Sequence, residues 1–127
     1  MIAEILLVDD DTALRGAVKD FLESRHHRVL EATDGAQAFA MAEEHHPHLI
    51  IMDIVMPGVY GSTATKKLRD YWRTSDIPII LMSGSIEIAV LGDILTRPKI
   101  RFLKKPVDLA TLDKTIRELL PEGGYTR

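Results

Sequence analysis

Four short, mostly apolar runs in this chain each end in residues that can bind a cation or take part in group transfer. Ile5-Leu6-Leu7-Val8 leads into Asp9-Asp10-Asp11, and Leu49-Ile50-Ile51-Met52 into Asp53. Pro78-Ile79-Ile80-Leu81-Met82 leads into Ser83, and Ile100-Arg101-Phe102-Leu103 into Lys104-Lys105-Pro106. Asp9, Asp10 and Asp53 are acids, and carboxylates crowded together repel unless a hard cation joins them. Magnesium is suited to this, since it takes oxygen ligands, keeps several waters and works with one or two carboxylates plus a phosphate. A carboxylate flanked by a metal and an ammonium is well placed to attack phosphorus, because phosphoryl transfer depends mainly on positioning and charge neutralisation. The product would be an aspartyl phosphate on Asp53.

For these groups to meet, the runs that carry them must be neighbouring strands. Leu49 to Met52, bracketed by Pro47 and Pro57, is too short for a helix and reads as a strand buried on both faces, the kind found inside a parallel sheet. Arg28 to Ala32 is a further strand, and the only one not ending in a reactive residue. Between the strands the apolar period changes to a helical one. Leu14, Ala17, Val18, Phe21 and Leu22 form one stripe, capped by Asp11 or Thr12. Asp34 and Gln37 have capping-box spacing for a second helix through about Glu44. A third, with a thin stripe, is expected from Ser62 to about Tyr71, and a fourth from Ile86 to Leu95, closed before Pro98. A fifth, capped by Asp108, carries Leu109, Leu112, Ile116, Leu119 and Leu120.

Strands alternating with helices across short loops predict an α/β domain, a five-stranded parallel sheet with five helices on its two faces. Ligands of such folds bind beyond the carboxyl ends of the strands, near the point where strand order reverses. With the order 2-1-3-4-5, the first and third strands lie side by side, so their carboxylates converge within roughly 5 Å. Ser83 then sits on the strand next to Asp53, while Lys105 is two strands away at roughly 10 Å, a gap only a long side chain can close.

Composition narrows the class. A chain of 127 residues is one domain, expected over 1–121, with 122–127 a tail or linker stub. With 46% hydrophobic and 28% charged residues and no apolar run near the roughly 20 residues of a membrane span, no membrane role is expected. The absence of cysteine and of a secretory start favours the cytoplasm, and a net charge of -3 argues against direct nucleic-acid binding. The five histidines read as solvated polar residues at helix ends, and Trp72 with Tyr71 and Tyr60 as packing at the end of a helix. Three consecutive aspartates are, by themselves, a common helix start. After a buried strand and with Asp53 and Lys105 in place, they read as a metal site.

The set "ILLVDDD", "LIIMDIVMPGVYG", "PIILMSG" and "FLKKP", in this order and across essentially the whole chain, resembles the receiver domain of two-component response regulators. The resemblance implies a flavodoxin-like domain that takes a phosphoryl group from a sensor histidine kinase or a histidine phosphotransfer protein. It implies Asp53 as phosphoacceptor, Asp10 as direct magnesium ligand, Asp9 holding the metal's water, and Val55 lending a backbone carbonyl. Ser83 matches the hydroxyl that moves to the phosphoryl oxygen, Lys105 the active-site lysine, followed by a cis bond to Pro106. Phe102 matches the switch aromatic that remodels the surface of the fourth helix, fifth strand and fifth helix, where an output domain or a second copy would dock.

This chain departs from the family pattern in three places. Pro98-Lys99 replaces the usual small Gly-Ala pair, Ser83-Gly84 the commoner hydroxyl-Ala, and Phe102 offers no hydroxyl. Val55 and Ser85 fall at positions that in the family tune acyl-phosphate hydrolysis, and the apolar Val55 predicts slow self-dephosphorylation. The alternative function is a magnesium-dependent hydrolase or phosphotransferase with Asp53 as nucleophile. Against it, no second acid follows two residues on to serve as general acid. A nucleotide-binding fold is disfavoured because the first turn carries aspartates rather than a glycine-rich loop.

Overall fold

The structure, a computed structural model, describes residues 2–55, 61–84, 94 and 97–120. Five strands form one parallel sheet: β1 (Glu4–Val8), β2 (Arg28–Ala32), β3 (Leu49–Asp53), β4 (Ile79–Ser83) and β5 (Ile100–Lys104). Their order is β2-β1-β3-β4-β5, as expected. β3 and β4 are buried at every residue, which is why both read as unbroken apolar runs rather than alternating ones. The edge strands β2 and β5 are only partly covered.

Four helices lie among the described residues: α1 (Thr12–Ser24), α2 (Gly35–His45), α3 (Gly61–Asp70) and α4 (Leu109–Leu119). The helix expected at Ile86–Leu95 falls almost entirely outside them, and residues 56–60 and 121–127 fall outside them as well; Ile94 is buried in the core. Three helices begin where a side chain satisfies a free backbone N–H of the first turn. Asp11 accepts from Leu14 N at 3.1 Å, Asp34 from Gln37 N at 2.8 Å, and Asp108 from Thr111 N at 3.2 Å. The capping box at α2 is displaced by one residue, because Gln37 Oε1 accepts from Thr33 N at 3.0 Å.

The sheet divides the core in two. α1 and α4 cover one face, with Val18, Leu22, Leu112 and Ile116 against Ile5, Leu7, Ile51 and Ile80. α2 and α3 cover the other, with Ala38, Ala42, Ala64 and Leu68 against Leu6, Val8, Ile50 and Leu81. Phe102 packs on the second face and Leu103 on the first, so the two point apart as strand alternation requires. Among the described residues no helix is long and apolar enough to cross a membrane.

Two expectations about surface residues need correction. His27 is not solvated, and His48 is only partly so. His27 is buried and its Nδ1 accepts from Ala3 N at 3.1 Å, while His48 Nδ1 accepts from Glu4 N at 2.8 Å. The N–H groups at the entry to β1 thus find ring acceptors, whereas His26, His45 and His46 are exposed as expected. Trp72 does not pack at the end of its helix. Its side chain stands 74% exposed under Arg73, and it is Tyr71 that turns inward against Phe39. Tyr60 lies outside the described residues.

Candidate functional site

Parallel register carries the reactive residues to one rim of the sheet. Val8 of β1 pairs with Met52 of β3, so Asp9 and Asp53 leave neighbouring strands at the same level. Asp53 pairs with Met82, and Ser83 with Lys104, which sets Ser83 and then Lys105 one and two strands further along. One oxygen from each of Asp9, Asp10 and Asp53 lies within 4.8 Å of the other two. Asp9 and Asp53 are buried and Asp10 is exposed. Lys105 crosses the rim: its Nζ donates to Asp53 Oδ2 at 2.9 Å and to Asp9 Oδ2 at 3.2 Å.

The expected pairing of Lys105 with Asp53 is present, and the second bond, to Asp9, is an addition. One ammonium shared by two carboxylates leaves the three acids with two negative charges in excess. Burial pushes the Asp9 carboxyl above its ordinary range, against the lowering effect of the Asp11 N–H and of Lys105. Burial also draws the Lys105 ammonium down, but the hydrogen bonds and charges of Asp53 and Asp9 outweigh it and hold the group above its ordinary value. Because Asp9 and Asp53 are buried, an excess of negative charge beside them is unfavourable.

The other oxygens of the two buried acids are held by the backbone. Asp9 Oδ1 accepts from Asp11 N at 2.9 Å and Asp53 Oδ1 from Val55 N at 3.2 Å. Both carboxylates are therefore oriented rather than free to rotate. The donor set passes the test for a hard divalent cation: all oxygen, doubly negative, and spaced within 4.8 Å. Magnesium ligated at about 2.1 Å puts opposite ligands about 4.2 Å apart. Small side-chain adjustments or a bridging water would close the difference. A cation held there would share the Asp9 and Asp53 carboxylates with Lys105.

Ser83 is buried at the end of β4, and its carbonyl accepts from Lys105 N at 2.9 Å, tying the hydroxyl-bearing strand end to the lysine. The Lys105-Pro106 bond is cis, as the resemblance implied. Val55 exposes its side chain to solvent. Ser85 lies outside the described residues.

One residue that shapes the site reads from sequence only as a loop glycine before the helix expected from Ser62. Gly61 opens α3 beneath Asp53, its N–H donating to the Ile54 carbonyl at 2.8 Å. A Cβ at this position would stand 2.9 Å from Ile54 Cα and closer still to the Asp53 carbonyl oxygen, so only glycine lets the helix approach the loop after β3. Glycine is an ordinary residue at a helix start, so its residue type alone does not reveal this close approach.

A charged rim at the carboxyl ends of a β2-β1-β3-β4-β5 sheet can be compared with known proteins. A family profile described as response regulator receiver domain matches residues 5–117. The protein PilH of Pseudomonas aeruginosa is 39% identical over 121 residues, covering 93% of this chain and 98% of PilH. A transcriptional regulatory protein of Streptomyces coelicolor is 34% identical over 94% of this chain, which spans only 52% of that protein's length. Among solved structures, a chemotaxis response regulator of Vibrio cholerae superposes with a TM-score of 0.84 at 28% identity, covering 94% of this chain and all of that one. The receiver domain of a sensor histidine kinase of Pseudomonas aeruginosa, with magnesium coordinated in its active-site cleft, has a TM-score of 0.81 at 30% identity over 94% and 98% of the two chains. Fold, strand-end residues and profile agree, and the chain belongs to the receiver-domain family of two-component response regulators.

Proposed function

We propose that Asp53 accepts a phosphoryl group from the phosphohistidine of a sensor histidine kinase or histidine phosphotransfer protein, in a reaction that requires magnesium held by Asp9, Asp10, Asp53 and the Val55 carbonyl. The observation that carries this reading is the ammonium of Lys105 at 2.9 Å from Asp53 Oδ2, beside three carboxylates within 4.8 Å of one another. Magnesium would supply charge neutralisation for the incoming phosphoryl oxygens. An Asp53 oxygen forms the new P–O bond as the donor's P–N bond breaks and the imidazole leaves. Lys105 stays paired with the modified side chain, and the Val55 N–H keeps the carboxyl group from rotating.

The acyl phosphate then draws the Ser83 hydroxyl, and Phe102 follows into the space behind it, changing the surface of β5, α4 and the 86–95 segment. Phe102 is half-buried against the core on that side of the sheet, which supports a short inward path. This surface would receive an output domain or a second copy of the chain. Catalysis would extend only to the protein's own phosphorylation and dephosphorylation. A cytoplasmic setting suits a chain that draws its phosphate from a kinase.

The test is incubation with acetyl phosphate and magnesium, followed by intact-mass measurement. One phosphoryl group is expected on the native chain, and none on Asp53→Ala or in the presence of a chelator. A native chain that stays unmodified, or an Asp53→Ala variant that gains the same mass, would remove the proposal. Because an exposed apolar Val55 cannot orient water, the phosphoryl group should be long-lived and Val55→Asn should shorten its half-life. A half-life of seconds that lengthens in Val55→Asn would contradict that assignment.

A further inference from the structure

Asp9 and Asp10 share one peptide group, and that group is gripped from outside the acidic cluster. Arg15, in the first turns of α1, donates from Nη1 to the Asp9 carbonyl oxygen at 2.7 Å and from Nε to Glu31 Oε1 at 3.1 Å. Glu31 lies on β2 directly opposite Leu7 of β1, and its second oxygen accepts from Lys19 at 3.1 Å. The hydrogen bonds from Lys19, and then from Arg15, hold the Glu31 carboxyl below the usual range, so it stays ionised. On the other side of Asp9, its N–H donates to the Ala32 carbonyl at 3.1 Å.

The carboxylates of Asp9 and Asp53 are each fixed by a backbone N–H and by Lys105. Among the described residues no hydrogen bond fixes the carboxylate of Asp10. Its backbone sets the direction of its Cα–Cβ bond, and the peptide plane that precedes it is the one whose oxygen Arg15 holds. A peptide group held only by its neighbours can turn by opposed changes in the flanking ψ and φ, and such a turn swings the next side chain. Arg15 therefore restrains the one acid of the cluster that has no restraint of its own.

Removing Arg15 has two opposite consequences. It takes a positive charge away from a site that binds a cation, and it frees the Asp9-Asp10 peptide. The first is reduced, because Glu31, shared with Lys19, offsets part of the guanidinium's charge, and the exposed side of the group is screened by solvent. The second acts directly on ligand geometry, to which magnesium is strict.

Resting on the magnesium-dependent reading above, we propose that Arg15, braced by Glu31, is a positioning residue that aims Asp10 and thereby sets the affinity of the acidic cluster for magnesium. The test is calorimetric titration of the unphosphorylated full chain with magnesium, alongside thermal unfolding in chelator. Arg15→Met should weaken binding about three- to tenfold, and Arg15→Lys, which keeps a donor, should recover part of the loss. Glu31→Gln should weaken it less, and the double variant should be no worse than Arg15→Met, as for residues acting as one unit. Unchanged or tighter binding by Arg15→Met overturns the inference, as does a variant that loses only melting temperature in chelator. A native chain that binds no magnesium would overturn the proposed function as well, whereas native binding matched by Arg15→Met removes this inference alone.

Discussion

The two ends of β1 face the same problem and resolve it differently. At the amino end, the N–H groups of Ala3 and Glu4 donate to ring nitrogens, Nδ1 of His27 and of His48, at 3.1 and 2.8 Å. At the carboxyl end, Asp9 brings a charge into the same sheet beside Asp53 and receives half of one ammonium in return. The first rim is satisfied by neutral groups and asks for nothing further. The second is left short of positive charge, and a ligand can supply it. Stability and binding capacity are thus separated along five residues of one strand, which is the usual relation between a strained functional site and the frame around it.

The comparison breaks most visibly at Lys105. Lys105→Met leaves Asp9 and Asp53 facing each other without the ammonium between them, with side chains 1% and 10% exposed. Removing one partner of a buried pair costs about 3–5 kcal/mol. Lys105 itself is partly open to solvent, so we expect the lower end, about 3 kcal/mol, in urea unfolding with chelator present. Saturating magnesium should recover a large part of that loss, because the cation neutralises the same oxygens. A gap that magnesium does not narrow would mean that the instability arises elsewhere than in the acidic cluster.

At the opposite end the expected effect is smaller and independent of metal. His27→Ala orphans the Ala3 N–H, which costs about 2 kcal/mol. The same residue gives the amino rim its own pH dependence. Burial, the largest influence, together with the nearby His26, outweighs the attraction of Asp113 and holds the His27 imidazole below its ordinary value of 6.5. The unfolded chain therefore binds this proton more readily than the folded one. The stability due to neutral His27 is complete above about pH 6.5 and is lost as pH falls below it. His27→Asn offers an oxygen near the place of Nδ1 and does not titrate, so its unfolding free energy should fall less between about pH 7 and about pH 5 than that of the native chain. Equal slopes would show that His27 is not the group being protonated.

Much of this could be read from residue types alone, and the exceptions share a cause. Each reactive residue closes an apolar run, and parallel register turns that one-dimensional fact into a common rim, so Asp9, Asp10, Asp53, Ser83 and Lys105 were legible together. Asp11, Asp34 and Asp108 announced three helix starts because a cap needs a particular side chain at a particular offset. The bonds from Arg15 to the Asp9 carbonyl and from the Ala3 and Glu4 N–H groups to histidine were not legible. Every residue carries a carbonyl and almost every one an N–H, so a side chain that seeks the backbone leaves no partner type to find. Lys105 bonding to Asp9 as well as Asp53 was hidden for a different reason. Charge pattern allowed either acid, and only the folded arrangement brings both within 3.2 Å of one ammonium.

The smallest expected effect sharpens the contrast, because the amino rim is not relaxed at every point. Lys99, just before β5, has φ of 65°, in the left-handed region that a side chain with Cβ enters at a cost of roughly 1–2 kcal/mol. Its carbonyl accepts from Ile79 N at 2.9 Å, so the backbone is held there by the sheet rather than by the lysine itself. The side chain is exposed and little packing is lost with it. Glycine removes the strain but adds freedom to the unfolded chain, worth about 0.4–1 kcal/mol the other way. Lys99→Gly should therefore stabilise the domain by about 0.5–1 kcal/mol in urea unfolding, while Lys99→Ala, which keeps a Cβ, should not. Neither should alter the rate at which acetyl phosphate modifies the chain, since the strain sits at the rim that does no chemistry. If Lys99→Gly gains nothing, the left-handed turn is not strained. If it gains stability and slows phosphorylation, the two rims are coupled and the separation drawn between them fails.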